Sequence, residues 1–413
     1  MRQFVNKNLY FILLLFCILP YNYSSLVLNS FSSLVNIGVY LIRFLLILYV
    51  ASYMKNLKLT KYENKIFKEI TFYFISIFAI NVLSTLSSNS FEMSSLIIRS
   101  FSMVYMYGFF VYMIYNYKNM ENFNKKLISV TSVLLLFSIV LYLFFPSIGR
   151  MYEGYNSYAL LGVAANRNSY FELIFPAVVS ILFLNDSRKL QKKEYIFIIL
   201  TIITVFLSRS VTSIIALVIF WAFVFVKKMK WNISKVLKTS LITSIILWIC
   251  FFGIIVTNTS LSSISSMFSN KSTTLSGRTI IWEKALYFIK QKPLIGYGYD
   301  NTIIGDPYIY PYQGNEVFPN DTHNSALFIL LASGILGFIL LFWFIVDGLK
   351  KGSIIVKYDA KYYYLMAYLI ANLIRGLTES SLHYPHMIIF LYLIFIKIRY
   401  NELIMKKGEK ENE

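Results

Sequence analysis

The chain has 413 residues, of which 57% are hydrophobic and only 14% are charged, and its formal net charge is +19. Soluble domains carry charges on about a quarter of their residues, so this composition excludes an ordinary soluble domain and predicts a polytopic membrane protein. A large positive charge is also common in nucleic-acid-binding proteins, and the distribution of the charge along the chain decides between these classes.

Apolar runs separated by polar residues predict an all-α protein with about twelve transmembrane helices. The first apolar run, residues 9–19, has no small-residue cleavage site, so we expect it to remain as a span and not to be removed as a signal peptide. No internal repeat is evident, and we expect a single transmembrane domain over residues 1–413. The predicted spans are residues 9–25, 37–54, 70–86, 96–116, 127–145, 168–185, 194–208, 210–226, 236–257, 323–346, 361–377 and 384–399.

Lysine-rich segments fall on alternate connections between these spans, whereas the first two intervening connections contain neither lysine nor arginine. Because positive loops stay in the cytoplasm, this alternation predicts that both termini are cytoplasmic. The net charge is then explained by membrane topology, and nucleic acid is not an expected partner. The lysine-rich segments are residues 55–68, 118–126, 188–193, 227–238, 350–361 and the tail from Lys397.

Arginines are distributed differently from lysines, since seven of the ten lie inside predicted spans or on the predicted outer side. The preference of positive residues for the cytoplasmic side does not by itself explain why arginine is more common than lysine on the outer side. The planar guanidinium group binds phosphate through two hydrogen bonds and is less strongly hydrated than an ammonium group. These seven residues are Arg43, Arg99, Arg150, Arg167, Arg209, Arg278 and Arg375.

Three of the arginines lie within the predicted spans and Arg209 lies between two of them. A cation within a span is expensive unless it faces a cavity or a partner. Arg99, Arg209 and Arg375 fall in the outer parts of their helices, and Arg43 lies about two helical turns deep. One interpretation is a set of structural ion pairs, such as Arg375 with Glu379 one turn later. We favour a shared anion site at the outer leaflet, for a phosphate or pyrophosphate on a lipid-embedded molecule.

One long extracytoplasmic loop is predicted at residues 258–322. Within it, residues 279–292 have a broad apolar face that includes Trp282, which predicts an amphipathic helix ending at Pro293. Such a helix lies along the membrane interface or packs on the helix bundle, and the two arrangements are compatible. The next residues, "PLIGYGYDN", contain Gly296 and Gly298, but a G-x-G pattern by itself indicates little more than a turn.

His323 begins the span that follows this loop, and it is one of three histidines in the chain. Imidazole groups in general can accept a proton near neutral pH, and Asp321 and Asn324 are near enough in sequence to orient this one. The alternative is a histidine that only satisfies local structure.

Metal binding is not favoured by the sequence. His383 and His386 have an H-x-x-H spacing, but no other clear ligand accompanies them. Cys17 and Cys250 lie in apolar runs and are interpreted as packing residues.

Residues from about 160 to 340 resemble the shared core of bacterial O-antigen ligases and of O-antigen or capsular polysaccharide polymerases (Wzy/WaaL-like). The resemblance is carried by "SGRTIIWEKALYFIKQKPLIGYGYDN", followed by "THNSALFILLASGILG". These segments have the form R-x-x-x-W, then P-x-x-G-x-G, then H-N before a glycine-containing span. Upstream, the family's N-x-N segment and Ser-Arg helix start resemble "GVAANRNSYFELIFP" and "FLSRSVTSIIALVIF".

This resemblance implies a GT-C-like glycosyltransferase of the bacterial inner membrane, with an extracytoplasmic active site that needs neither a metal nor a cofactor. Its donor and acceptor are expected to be oligosaccharides linked to undecaprenyl diphosphate, and a chain-length regulator is a further candidate partner. Carried over by position, Arg209 and Arg278 would bind the diphosphate, with Arg167 as an additional contact, and His323 would be the general base.

The motif sequences "SGRTIIWEKAL" and "PLIGYG" resemble the polymerases more than the ligases. They favour a polymerase that transfers a glycan to the non-reducing end of another lipid-linked repeat unit, with inversion. An O-antigen ligase, which transfers the glycan to lipid A core, is the alternative, because it uses the same donor site. A flippase or transporter is less favoured, since it is expected to expose ionisable residues to both sides. A non-catalytic scaffold gives no reason for Arg278 and His323 to flank the long outer loop.

Overall fold

The computed structural model describes residues 32–55, 58–87, 93–152, 157–164, 167–229, 231–257, 273–298, 322–380, 382 and 387–410. This part of the chain is mostly helical, so the predicted all-α character is confirmed. The one sheet in it is an antiparallel pair of short strands, β1 (Arg150–Tyr152) and β2 (Tyr158–Leu160), which the sequence did not predict.

Twelve helices longer than one turn organise the described residues. They are α1 (Ser32–Met54), α2 (Lys61–Leu86), α3 (Met93–Tyr115), α4 (Met120–Phe144), α5 (Tyr170–Leu184), α6 (Lys192–Leu207), α7 (Val211–Lys228), α8 (Ile233–Thr257), α9 (Thr273–Gln291), α10 (Ser325–Ile355), α11 (Tyr362–Arg375) and α12 (Met387–Lys410). A helix is present at each predicted span from 37–54 onward, whereas the predicted span 9–25 lies outside the described residues.

Six of the described segments are long and apolar enough to cross a membrane, which supports a multi-pass membrane protein. Large apolar side chains on these helices point outward, such as Phe72 on α2, Phe137 on α4 and Ile215 on α7. Outward apolar faces are what a lipid environment permits, because the bilayer core is itself apolar. The six segments are Lys61–Leu86, Tyr117–Phe144, Arg167–Leu184, Val211–Lys228, Ile233–Cys250 and Ser325–Ile355.

Polar side chains fix where several helices begin. Thr60 and Glu63 form a reciprocal capping box at α2, and the Ser210 side chain accepts a hydrogen bond from the Ser213 amide at α7. Asn324 caps α10 by accepting a hydrogen bond from the Leu327 amide at 2.9 Å. These caps satisfy amides that have no partner inside the helix, so each one sets the start of a helix at a defined residue.

The amphipathic helix expected at residues 279–292 is present as α9, which begins six residues earlier than predicted (279 − 273). It packs against α10. Trp282, which the sequence analysis places on the apolar face, is buried against Leu327, and its indole nitrogen donates to the Thr322 carbonyl at 2.9 Å. The helix therefore packs on the bundle, as one of the two predicted arrangements requires.

Helix α10 is broken at Gly334, whose φ of 63° and ψ of −166° are not helical. Residues 293–298, which follow α9, lie against this break and exchange backbone hydrogen bonds with it. Backbone groups in an apolar environment need partners inside the protein, so this exchange is what permits an interrupted helix there.

A cluster of charged side chains joins α2, α10 and α12 at the end of α10 opposite His323. Lys397 is fully buried and forms ion pairs with Glu69 and with Asp347, the latter at 2.9 Å, and its ammonium group lies 3.8 Å from the ring centre of Phe344. Because every charge in this cluster has a partner, we interpret it as a structural contact between helices.

Candidate functional site

His323 lies immediately before α10, in a short turn that the end of α11 holds in place. The Ser325 amide donates to the Gly376 carbonyl at 2.9 Å, and the Asn324 side chain donates to the Leu377 carbonyl at 2.8 Å. The Asn324 side chain thus binds the Leu327 amide and the Leu377 carbonyl. That it also orients His323, as the sequence suggested, stays a prediction. Asp321 lies outside the described residues.

The residue beside His323 is Glu379, in the turn that follows α11. Its Oε2 lies 3.5 Å from His323 Nδ1, at the limit of a hydrogen bond. Its Oε1 accepts hydrogen bonds from Arg278 Nη2 at 2.8 Å, Asn168 Nδ2 at 3.1 Å and Thr212 Oγ1 at 3.3 Å. One carboxylate therefore connects α9, the turns before α5 and α10, and the first turn of α7.

Glu379 is ionised in this environment. Burial alone would favour the neutral acid, but the contact with His323 and the positive charges of Arg278 and Arg375 outweigh it and lower the pKa of the carboxyl below its ordinary value. Only 7% of the Glu379 side chain is exposed, whereas 27% of the His323 side chain is exposed. The carboxylate is thus an internal group, while the imidazole remains accessible from outside.

Arg278 reaches this cluster from the N-terminal part of α9. Besides its ion pair with Glu379, its Nη1 donates to the Thr378 carbonyl at 2.8 Å. Arg167 is half-buried and lies within electrostatic range of both Arg278 and Glu379. Arg167 and Arg278 therefore occupy the same region as His323.

Arg209 lies in the turn between α6 and α7 and is exposed to solvent. That turn is tied to the cluster at Asn168, because Ser213 Oγ contacts Ser210 Oγ at 2.9 Å and the Asn168 carbonyl at 3.3 Å. The adjacent Thr212 binds Glu379 directly. Arg209 is thus at the edge of the same region, on its solvent side.

Backbone geometry also distinguishes Arg209 and His323. Among the described residues, they are the two non-glycine residues with a positive φ, at 53° and 49°. This conformation is uncommon for residues with a Cβ atom, and it is found disproportionately at functional sites. Both residues stand in the motifs that the sequence indicates as functional, independently of their backbone conformation.

Arg375 has a different environment from the one predicted. Its guanidinium group forms an ion pair with Glu172 and donates to the Asn168 carbonyl, and 2% of the side chain is exposed. A side chain with these partners and this burial has no face free for a substrate phosphate. We therefore assign Arg375 a structural role, although its ion-pair partner is Glu172 and not Glu379 as the sequence suggested.

The two remaining predicted arginines lie on α1 and α3, helices that contribute no residue to the contacts of Glu379 described above. Arg43 is buried, with its guanidinium carbon 5.9 Å from the ring centre of Tyr40 and 5.6 Å from that of Tyr105. Arg99 lies on α3, but its side chain is not in the described part of the structure.

No metal site is indicated in the part of the chain that the structure describes, where no three histidine, cysteine or acidic side chains form a group. His383, His386 and Cys17 lie outside the described residues. Cys250 is an exposed thiol.

The sequence did not indicate that Glu379 lies beside His323, or that Asn168 and Thr212 bind it. Glu379 was considered only as the partner of Arg375, because the two are four residues apart. Its position in a turn after an apolar helix, near arginines predicted on the same side, was the available indication. Its actual partners come from positions about 56 to 211 residues away, which a local pattern does not reveal.

Residues 196–342 match a protein-family model described as O-antigen ligase. The predicted resemblance to the O-antigen ligase and polymerase superfamily is therefore confirmed over this region. The matched region contains Arg209, Arg278 and His323, whereas Arg167 and Glu379 lie outside it. No curated protein matches the chain at a significant level.

The lowered pKa of Glu379 leads to a prediction about stability. Glu379→Gln should lower the free energy of unfolding at neutral pH by about 1.5–3 kcal/mol, because charge-assisted hydrogen bonds become neutral ones. A carboxyl group with a lowered pKa stabilises the folded state above its ordinary value, and that contribution is lost as pH falls through the folded pKa. The difference between wild type and variant should therefore shrink below about pH 4.3.

Thermal unfolding of detergent-solubilised protein between about pH 3 and pH 7 measures this difference. Glu121→Gln is the matched control, since Glu121 is exposed at the start of α4. A Glu379→Gln difference that stays constant over this range would contradict the assignment of an ionised, paired carboxylate.

Proposed function

We propose, from the match of residues 196–342 to a protein-family model described as O-antigen ligase, that this protein is a polysaccharide polymerase of the bacterial inner membrane. It transfers a glycan from undecaprenyl diphosphate to the non-reducing end of another lipid-linked repeat unit, with inversion. The observation that carries the proposal is the contact of Arg278 and His323 with one buried carboxylate, Glu379, inside an otherwise apolar protein.

The proposed arrangement in the membrane follows the sequence. A single domain over residues 1–413 has about twelve spans and a GT-C-like architecture, with both termini in the cytoplasm. The family-like core at residues 160–340 contains the proposed outer loop at residues 258–322. The reaction is therefore proposed to occur on the extracytoplasmic side.

Positive charge at the cluster exceeds negative charge, which supports an anionic donor group. Arg167, Arg209 and Arg278 carry three positive charges, and Glu379 is the carboxylate that the structure places among them. A leaving diphosphate gains negative charge in the transition state, and fixed guanidinium groups stabilise it. Removing one such donor typically lowers the rate by about 10²–10³.

His323 has the role of general base. Its Nδ1 faces Glu379, so Nε2 lies on the opposite side of the ring, where a substrate hydroxyl would approach. As the imidazole takes the proton it becomes positively charged, and the neighbouring carboxylate stabilises that charge. A positioned base of this kind is typically worth about 10²–10⁴ in rate.

The reaction balances without an added group. The acceptor hydroxyl oxygen forms a bond to the anomeric carbon while the bond from that carbon to the diphosphate oxygen breaks. The hydroxyl proton goes to His323, and undecaprenyl diphosphate leaves with the electron pair. Attack opposite the leaving group inverts the anomeric centre.

The second candidate is an O-antigen ligase, which the description of the matched family favours. It would use the same donor-binding arginines and the same base, so the described site does not separate the two. The acceptor separates them, since a ligase needs lipid A core and a polymerase needs a second lipid-linked repeat unit.

Product size tests the proposed function. Purified protein given one defined undecaprenyl-diphosphate repeat unit should produce a ladder of longer glycans, and a chelator should leave the ladder unchanged. A single product that forms only when lipid A core is added would identify a ligase. The absence of any transfer with either acceptor would reject the glycosyltransferase.

Substitution of His323 tests the base. His323→Ala should lower turnover by at least about 10² because no proton acceptor remains. His323→Asn should be equally inactive, although its side-chain amide can still face Glu379, since an amide does not accept a proton near neutral pH.

The measurement is chain elongation by protein whose thermal unfolding matches that of wild type. His383→Ala, at a histidine to which we assign no role, is the control. Normal ladders from His323→Ala would remove the proposed base.

Arg209 offers the clearest test of anion binding, because its side chain is exposed and its loss should leave stability within about 0.5 kcal/mol. Arg209→Ala should reduce the rate with a lipid-linked donor by about 10²–10³. Arg209→Lys should recover only part of this, since lysine lacks the planar fork.

Initial rates at several donor concentrations measure this effect. Arg188→Ala is the matched control, since Arg188 is another exposed arginine, and the proposed topology has it on the cytoplasmic side. Equal rates for Arg209→Ala and wild type would exclude Arg209 from the donor site.

A further inference from the structure

The broken helix α10 and residues 293–298 form a reciprocal set of backbone hydrogen bonds, which we call the backbone clasp. The amides of Tyr297 and Gly298 donate to the carbonyls of Leu331 and Ala332, each at 2.8 Å. In return, the amides of Ile335 and Leu336 donate to the carbonyls of residues 293 and 294, at 2.8 and 3.2 Å.

These are the groups that a continuous helix would pair with one another. In an unbroken α10, the Ile335 amide would donate to Leu331 and the Leu336 amide to Ala332. The inserted segment replaces both of those hydrogen bonds and supplies a partner to every group. The clasp therefore opens the helix while these four backbone groups keep hydrogen-bond partners inside the protein.

Glycine is required on both sides of the clasp. Gly296 has a φ of +67°, and a Cβ atom there would lie 2.5 Å from the Leu331 carbonyl oxygen. Gly334 has a φ of +63°, and a Cβ atom there would lie 2.3 Å from the Leu294 backbone. Backbone atoms cannot rotate away as a side chain can, so a methyl group at either position pushes the two segments apart.

The clasp attaches the C-terminal end of α9, and two further contacts attach its middle and its N-terminal part. At its C-terminal end, residues 293–298 are paired with α10. In its middle, Trp282 donates to the Thr322 carbonyl, one residue before His323. Near its N-terminal end, Arg278 binds Glu379 and the Thr378 carbonyl. The position of Arg278 relative to His323 is thus determined by how α9 is held along α10.

We propose that the backbone clasp is a positioning element of the transferase site, and that Gly296 and Gly334 are its positioning residues. It holds α9 in register with the start of α10, so that Arg278 lies beside His323 when the lipid diphosphate binds. This inference rests on the proposed function. It gives the P-x-x-G-x-G segment a role in positioning α9, which does not require the segment to contact the substrate. A displacement of about 1 Å at a reacting group is enough to lower a rate by about 10².

Hydrogen–deuterium exchange of the protein in lipid nanodiscs tests the clasp without any substrate. In wild type, the amides of residues 297, 298, 335 and 336 should exchange slowly and as one group. Gly296→Ala and Gly334→Ala should each accelerate exchange on both segments by about tenfold or more, because a residue with a Cβ atom disfavours the left-handed conformation. Gly108→Ala, at a helical glycine with no atom within 4 Å of an added Cβ, should change nothing.

A double-mutant cycle on turnover tests whether the clasp acts through Arg278. Gly296→Ala alone should lower turnover by about 10². In the Arg278→Ala background, it should lower turnover by less than about threefold, because the group that it positions is already absent. Such non-additivity distinguishes positioning from general destabilisation, whose effect would multiply with that of Arg278→Ala.

Rapid exchange of the four amides in wild type would overturn the clasp. Accelerated exchange in Gly296→Ala with unchanged turnover, or a full 10²-fold loss in both backgrounds, would overturn the positioning role while leaving the proposed function in place. Protected amides in a wild-type protein that transfers no lipid-linked glycan would overturn the proposed function, and the positioning role with it.

Discussion

The ionised carboxylate of Glu379 is the interaction on which the arrangement of the candidate site depends. It is buried, and it accepts contacts from Arg278, Asn168 and Thr212 on one oxygen and faces His323 with the other. An unpaired buried charge is strongly unfavourable, so the helices that carry these partners are held at one place. The carboxylate also neutralises only one of the nearby positive charges, which leaves the region attractive to an anion.

A second constraint comes from the backbone. Residues 293–298 lie against the break in α10 at Gly334, and they supply new partners to the four backbone groups whose two hydrogen bonds the break removes. Each pairing satisfies groups that an apolar environment would otherwise leave exposed, so the connection between α9 and α10 is specific in register. The side-chain contact at Arg278 and the backbone contact near Gly296 therefore act at opposite ends of one helix.

Together these constraints explain how a mostly apolar protein presents a polar site. Arg375 forms an ion pair with Glu172 and a hydrogen bond with the Asn168 carbonyl, and Lys397 forms ion pairs with Glu69 and Asp347. These buried cations therefore stabilise contacts between helices. Arg209 remains exposed, and His323 remains partly accessible. The exposure of Arg209, in contrast to these buried and paired cations, is what supports a substrate-binding role for Arg209.

The sequence by itself determined the helices, because each apolar run of sufficient length becomes a helix wherever the structure describes it. It also selected Arg209, Arg278 and His323, since those residues stand in short motifs whose spacing is local. Tertiary structure decided the partners. The four-residue spacing predicted Arg375 with Glu379, yet folding pairs Arg375 with Glu172 and gives Glu379 to Arg278 and His323. Likewise, the G-x-G pattern indicated only a turn. The reason for a glycine at position 296 is the Leu331 carbonyl oxygen, which leaves no room for a Cβ atom. A local sequence pattern predicts the conformation of residues that are close in the chain. Ion pairs and backbone hydrogen bonds between distant segments depend instead on which helices pack together.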